Sequence, residues 1–381
     1  IPDSVTSIGD YAFNGCSFLE SVTIPDSVIN IGDYTFSDCS SLKSITIPDS
    51  VTSIGDYAFN GCSFLKFITI PDGVTSIGDY TFSGCSFLES VAIPDSVTSI
   101  EHYAFWGCSS LKSITIPNNV TIIGSGAFSH CSALTSVIIP DSVTNIEYMT
   151  FSYCSSLESI TISENITSIG NSAFHSCSAL KSITIPDSVT SIGGSAFQYC
   201  SALTSVTISD SVTSIGEGAF CDCSSLTSVI IPDSVMNIGN IAFGCSSLES
   251  ITIQNADCKI YDNESTINDT TVIYGYPGST AQAYAEKYNR EFVALNENQD
   301  TTDPVTNPEI LWGDADENGK IEILDVVLMN RVYVGVDKIL ESGKKNADSD
   351  QDGKITLSDS MNVLKLLVHL LEQADFPVQA K

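Results

Sequence analysis

Two twelve-residue stretches near the C-terminal end of this 381-residue chain crowd oxygen donors at matched spacing. The first, 314–325, places Asp314, Asp316, Asn318 and Asp325 at positions 1, 3, 5 and 12; the second, 348–359, places Asp348, Asp350, Asp352 and Asp359 there. Gly319 and Gly353 at position 6 permit the sharp turn that such a loop makes. Lys320 and Lys354 at position 7 contribute a backbone carbonyl, and Glu322 and Thr356 occupy position 9. Acidic and amide side chains packed so closely repel one another unless a cation sits among them, and a cage of hard oxygens suits Ca²⁺. The two loops therefore predict two calcium ions. Position 12 is aspartate in both, not the bidentate glutamate common at this place in helix–loop–helix sites. An apolar helix is expected after each loop, over 326–334 and 360–371. None is expected before either loop; Pro304 and Pro308 interrupt 303–313 ahead of the first.

Other chemistry is sparse. The histidines are His102, His130, His175 and His369, and no nucleophile elbow, phosphate loop or zinc motif accompanies them. His130 and Cys131 are adjacent, but Cys131 belongs to a regular row described below. The chain is not expected to be an enzyme. Its net charge of −31 opposes nucleic acid and anionic membranes, both of which need a basic patch. No stretch is long and apolar enough to be inserted into a membrane.

The elements that carry these residues follow from a repeat. Ile-Pro recurs at Ile1, Ile24, Ile47, Ile70, Ile93, Ile116, Ile139, Ile185 and Ile231, in steps of 23 or 46 residues; Ser163 and Ser209 replace the proline in between. A phenylalanine row keeps the same step, from Phe13, Phe36 and Phe59 to Phe220 and Phe243. One residue is lost between Phe243 and Cys245, as befits a unit near a capping end. Ile1 falls inside a repeat, so the chain reads as a fragment with units before it and no legible export signal. Within one unit Val22 and Ile24 alternate with Ser21 and Thr23, the period of a half-buried strand. Ile8, Ala12, Phe13 and Cys16 have helical spacing, which predicts a helical turn. One such unit cannot bury its apolar side alone, but stacked units can. Eleven rungs at ~4.8 Å make a solenoid of roughly 50 Å.

The chain has thirteen cysteines, eleven of them in one row from Cys16 and Cys39 to Cys223 and Cys245. In-register rungs hold Cβ atoms ~4.8 Å apart and parallel, whereas a disulfide needs about 3.8 Å. A ladder of buried free thiols is expected. Cys221 and Cys258 lie off the row, and the pattern gives no account of them.

Outward strand positions make a hydroxyl-rich concave face, with Ser21, Ser44, Ser90 and Ser113 beside Thr23, Thr46, Thr69 and Thr115. Glu20, Lys43, Lys66, Glu89 and Lys112 run alongside, with Glu158 and Lys181 later; Glu20–Lys43 and Lys66–Glu89 are expected to pair across rungs. Tyr11, Tyr34, Tyr57, Tyr80 and Tyr103 hold one position in successive repeats. Such a strip either covers the core or stacks on sugar rings and anchors a partner. With Trp106, Phe18, Phe64, Phe67 and Phe87 nearby, any binding face is expected within 1–115. The row Asp3, Asp26, Asp49, Asp72, Asp95 and Asp141 follows the proline and reads as turn residues.

After Ile253 the period fails. A strand over 271–275 and a short helix over 279–288, with Ser279 as N-cap, are expected to close the array. The expected units are the solenoid at 1–253, its cap at 254–296, an extended linker at 297–308 and the loop-bearing module at 309–377.

The pattern Ile-Pro-Asp-Ser-Val-Thr-Ser-Ile-Gly-x-x-Ala-Phe-x-x-Cys-Ser-x-Leu, ending in Leu-x-x-Val-x-Ile, resembles BspA-like leucine-rich repeats. It lacks the asparagine ladder of typical leucine-rich repeats. The doubled loop–helix with aspartate at position 12 resembles a type I dockerin. Together these resemblances imply a mixed fold: a leucine-rich-repeat solenoid of short parallel strands plus helical turns, then a small all-α calcium-binding dockerin. They imply a secreted protein, extracellular or held at the cell surface through a scaffold. The dockerin would join a cohesin module of a cellulosome-type complex, and the solenoid would bind a protein or polysaccharide ligand. A structural spacer, or a polysaccharide-degrading subunit without a visible site, are the alternatives. Carried over from the family, the cohesin contacts fall at Ile323, Leu324, Asn330 and Arg331 and at Leu357, Ser358, Leu364 and Lys365. The two sets differ, which predicts one preferred docking pose. Trp312 and Phe376-Pro377 are expected to form a terminal clasp.

Overall fold

The computed structural model describes residues 1–295. They wind into a series of stacked rungs in which, up to the shortened unit near Cys245, each residue lies beside the one 23 positions on. The strand expected at Ser21–Thr23 pairs in parallel with Ser44–Thr46, in the register Ser21↔Ser44, Val22↔Ile45 and Thr23↔Thr46. Serine and threonine point out while Ile45 points in at 7% exposure, as the alternation requires. A second, two-residue strand was not legible in the pattern. Ser7–Ile8 pairs with Asn30–Ile31, and that with Ser53–Ile54.

The segment with helical spacing is not a helix. Ala12, Asn14 and Cys16 donate their N–H groups three residues back, to Gly9, Tyr11 and Phe13. The alternate residues Tyr11, Phe13 and Gly15 donate forward to Asp33, Thr35 and Ser37 of the next rung, at 2.7–2.9 Å. Two left-handed residues per rung, such as Tyr11 (φ 58°) and Gly15 (φ 70°), reset the chain direction, so no run of helical dihedrals can form. The expected helical turns are thus single turns stitched from rung to rung, and the apolar positions still face inward.

The core is a set of ladders. Phenyl rings from Phe13 to Phe243 stack 5.2–5.6 Å apart, and from Phe36 onward each is fully buried. Val28, Leu42, Val51 and Leu65 fill the rest at 0% exposure. Serines after the Pro-Asp turn bond the preceding rung: Ser27, Ser50 and Ser96 donate to the carbonyls of Val5, Val28 and Val74 at 2.6–2.7 Å.

The rungs continue into the cap, so the solenoid has about thirteen turns and not eleven. Val272–Gly275 pairs with Ser250–Ile253, and Phe292–Ala294 pairs with Val272–Gly275. The helix α1 (Thr280–Lys287) starts where expected: Ser279 Oγ accepts the Gln282 N–H at 3.2 Å, and Gln282 reaches back to the Gly278 N–H at 2.7 Å. Tyr284 plugs the end, its hydroxyl donating to the Asn263 carbonyl at 2.8 Å.

Candidate functional site

Thirteen free cysteines lie in the described residues, all buried except Cys16. From Cys39 onward each thiol of the row donates to the carbonyl of the phenylalanine one rung earlier, as Cys39 does to Phe13 (3.1 Å) and Cys108 to Phe82 (3.2 Å). Burial pushes the thiols up, to about 12 for Cys85, Cys154 and Cys200, so they stay protonated. A protonated, enclosed thiol is neither a nucleophile nor a metal ligand. The row satisfies a backbone carbonyl in each rung, and its role is structural.

The Pro-Asp row makes turns: Val5 donates to the Pro2 carbonyl at 3.0 Å, with Asp3 between them. A different acidic row, which its spacing alone does not single out, forms a ladder. Asp10 Oδ1 accepts the Asp33 N–H, Asp33 the Asp56 N–H and Asp56 the Asp79 N–H, at 2.8–2.9 Å. Asp79 then accepts from His102, and His102 Nδ1 accepts from Ser125 at 3.0 Å. These side chains tie each rung to the next. A Cβ at Gly55 or Gly78 would come within 2.3 Å of the Oδ1 of the aspartate one rung before. The cost is in-register like charge. Burial, and then the Asp79, Asp33 and Glu101 charges, raise the Asp56 carboxyl above its ordinary value. Among the described residues no group of three His, Cys, Asp or Glu side chains is placed to hold a metal ion.

Next to that ladder the tyrosines stack. Tyr11, Tyr34, Tyr57, Tyr80 and Tyr103 form consecutive pairs 4.4–4.9 Å apart, within 19° of parallel. Each has a left-handed backbone, φ 53–58°. Tyr103 lies over Gly126, where a Cβ would collide with its ring, and the strip ends there. The interior rings therefore turn both faces to each other and present only edges and hydroxyls. A second aromatic run continues past this point. Trp106, His130, Tyr153, His175 and Tyr199 touch in sequence, with His130 stacked on Tyr153 at 4.4 Å. Burial lowers both histidines, which favours the neutral ring in the stack.

On the strand face, Lys43 bonds Glu20 at 2.9 Å and Lys181 bonds Glu158 at 2.8 Å, both as exposed pairs. The expected Lys66–Glu89 pair does not form. Phe64 and Phe87 stack at 5.1 Å and stay 48% and 46% exposed, and Phe67 is 57% exposed.

At the far end, beside the shortened unit, lies a cleft of about 460 Å³ lined by Cys221, Ile241, Gly244, Glu264, Asn268 and Arg290. Cys221 donates to Asp222 Oδ2 at 3.3 Å, and Arg290 donates to the Glu264 carbonyl at 2.8 Å. Cys258, within the cap, is fully buried.

Both calcium loops, the helices after them, the cohesin contacts, the linker, the Trp312 clasp and His369 lie outside the described residues.

A family profile described as "BspA type Leucine rich repeat region" matches residues 1–108, 75–204 and 190–271. A second, "Dockerin type I domain", matches 312–368. A leucine-rich repeat protein from Bacteroides ovatus is 34% identical over 78% of this chain and 83% of its own, with a TM-score of 0.67. A leucine-rich cell surface protein from Faecalibacterium prausnitzii is 32% identical over 75% and 89%, with a TM-score of 0.47. No functionally curated protein matches. Both families are binding or structural modules, and type I dockerins bind calcium and dock on cohesins. The chain belongs to the BspA-type leucine-rich repeat family and carries a type I dockerin domain after the array.

Proposed function

We propose that this chain is a secreted, non-catalytic binding subunit, seated on a scaffolding protein by its dockerin and carrying the solenoid as an adhesion module. The observation that supports it most is the pairing of modules: an unbroken array of rungs over most of the chain, then a dockerin match at 312–368. One calcium ion would sit in each loop. Asp314, Asp316, Asn318 and Asp325 would hold the first, with the Lys320 carbonyl and Glu322; Asp348, Asp350, Asp352 and Asp359 the second, with the Lys354 carbonyl and Thr356. Each ion would neutralise its loop and order the helix that follows. The cohesin would then read Ile323, Leu324, Asn330 and Arg331 or Leu357, Ser358, Leu364 and Lys365 in one preferred pose. Trp312 and Phe376 would close the module.

Calorimetry of the full chain against a panel of cohesins, in calcium and in EDTA, tests this reading. Tight binding that disappears in EDTA supports it and identifies the scaffold class; no binding to any cohesin overturns the docking half. A spacer role is the second reading, and one observation favours it: the interior tyrosine rings are closed against one another and leave no free face for a ligand.

A further inference from the structure

The strand face departs from its own repeat at one place. Ten of the eleven units put serine at the first outward strand position; the third puts Phe67 there. Three residues earlier in the unit, the row reads Phe18, Ser41, Phe64, Phe87, Ser110 and then only serine or alanine. Burying none of these rings helps the core, since Leu65, Leu88, Ile68 and Val91 already fill it at 9% exposure or less. The exposed rings are thus not explained by folding. An aromatic group left in water on a rung that tolerates serine has its use in contact with something else.

The geometry narrows what that is. Phe64 and Phe87 cover one face of each other, 5° from parallel. Their outer faces look along the array toward Ser41 and Ser110, which are too small to cover them. Unlike the tyrosines, these rings keep a free face. Beside them run Ser44, Thr46, Thr69 and Ser90, all exposed strand positions that repeat at the rung spacing of ~4.8 Å. Flat apolar faces flanked by rows of hydroxyls match a sugar ring, which has C–H faces and a hydroxyl rim. Charge selects among sugars. The chain carries −31, so a polyanionic glycan is repelled by the molecule as a whole. At the patch itself Lys66 and Glu89 offset one another, and neighbouring Lys43 is paired with Glu20.

We propose that Phe64, Phe67 and Phe87 form the docking surface for an uncharged polysaccharide, lying across the rungs with its ring faces on the phenyl groups. This rests on the adhesion reading above and places it on the strand face, away from the tyrosine strip.

Affinity electrophoresis of the full chain tests it, in gels holding a soluble neutral glucan or glucomannan, in gels holding polygalacturonate, and in plain gels. The variants are Phe67→Ser and the pair Phe64→Ser with Phe87→Ser, which install the residues other rungs already carry and so keep the fold; an unchanged melting curve checks this. Tyr57→Phe is the control on the other strip. The expected result is retardation by the neutral polysaccharide, weakened about tenfold for each phenyl ring removed and unaffected by Tyr57→Phe. Retardation that survives the phenylalanine variants puts the site elsewhere and overturns the inference, while the adhesion reading stands. So does retardation by polygalacturonate alone. Retardation in plain gels that the phenylalanine variants abolish makes the patch a contact between copies of the chain and overturns the inference too. No retardation in any gel, with cohesin binding intact, overturns both this inference and the adhesion role.

Discussion

Replacing Asp56 with asparagine should stabilise the solenoid at neutral pH. Asp56 sits mid-ladder: its N–H donates to Asp33 Oδ1 at 2.9 Å, and its own Oδ1 accepts from Asp79 at 2.8 Å. Asparagine keeps that acceptor, and the chain already uses it so at Asn171, whose Oδ1 accepts the Gly194 N–H at 2.7 Å. What the substitution removes is charge. Unit charges one rung apart, ~4.8 Å, repel by about 0.9 kcal/mol in water, and salt at physiological strength roughly halves this. Two neighbours then make the gain about 1 kcal/mol, or a melting rise of about 1–2 °C for a unit of this size. The pH dependence has a definite sign. The Asp56 carboxyl is raised in the folded state, chiefly by burial and then by Asp79 and Asp33. A raised carboxyl contributes stability that is complete below its unfolded value and lost as pH rises through the folded one. The advantage of asparagine should therefore be full at pH 7 and vanish near pH 3. Asp56→Ala, which loses the acceptor as well, should be less stable than Asp56→Asn at both pH values. Thermal unfolding of the full chain at the two pH values and two salt concentrations measures all of this. A destabilised Asp56→Asn at pH 7, or a gain independent of pH, would refute the argument that the ladder stores repulsion.

Alkylation at pH 8 followed by mass mapping should label Cys85, Cys154 and Cys200 only after denaturation, because burial holds them near 12. Phe128→Ala removes a fully buried ring stacked at 5.5 and 5.6 Å on its two neighbours; a loss of about 3–5 kcal/mol in urea unfolding is expected. Tyr57→Ala keeps the left-handed backbone but forfeits two stacks, at 4.4 and 4.6 Å, and should cost about 1–3 kcal/mol in the same assay. Asp314→Ala combined with Asp348→Ala should abolish cohesin binding in calcium yet leave the melting of the solenoid in place; a solenoid that melts with the loops would contradict the separation of the two modules.

Much of the array is legible in the residues because a repeat makes tertiary neighbours predictable: whatever stands 23 positions on lies one rung away. The phenylalanine and cysteine rows could be placed inside, and Ser44–Thr46 given its inward isoleucine, from period alone. Glu20–Lys43 pairs as the spacing implies, but Lys66–Glu89 has the same spacing and does not. Long exposed side chains are not held by register, and the pairing gains too little to order them. The proposed calcium loops are read from the residues for a different reason. Their expected ligands are contiguous in the chain, so the reading needs only the twelve-residue spacing and no tertiary neighbour.

What the sequence could not decide is the direction in which a row points. The rows beginning at Asp3 and at Asp10 share one period and one residue type. Only the backbone makes the first a turn and the second a ladder that accepts the next rung's N–H. The tyrosine and phenylalanine rows both read as aromatic strips. The tyrosines, on left-handed residues in five consecutive rungs, close their faces on each other, while Phe64 and Phe87 have serines beyond them and stay open. The helical spacing of Ala12, Phe13 and Cys16 was real, but two left-handed residues per rung sent alternate N–H groups to the neighbouring rung. The repeat determined who the neighbours are; the dihedral angles within a rung determined what each side chain turns toward them.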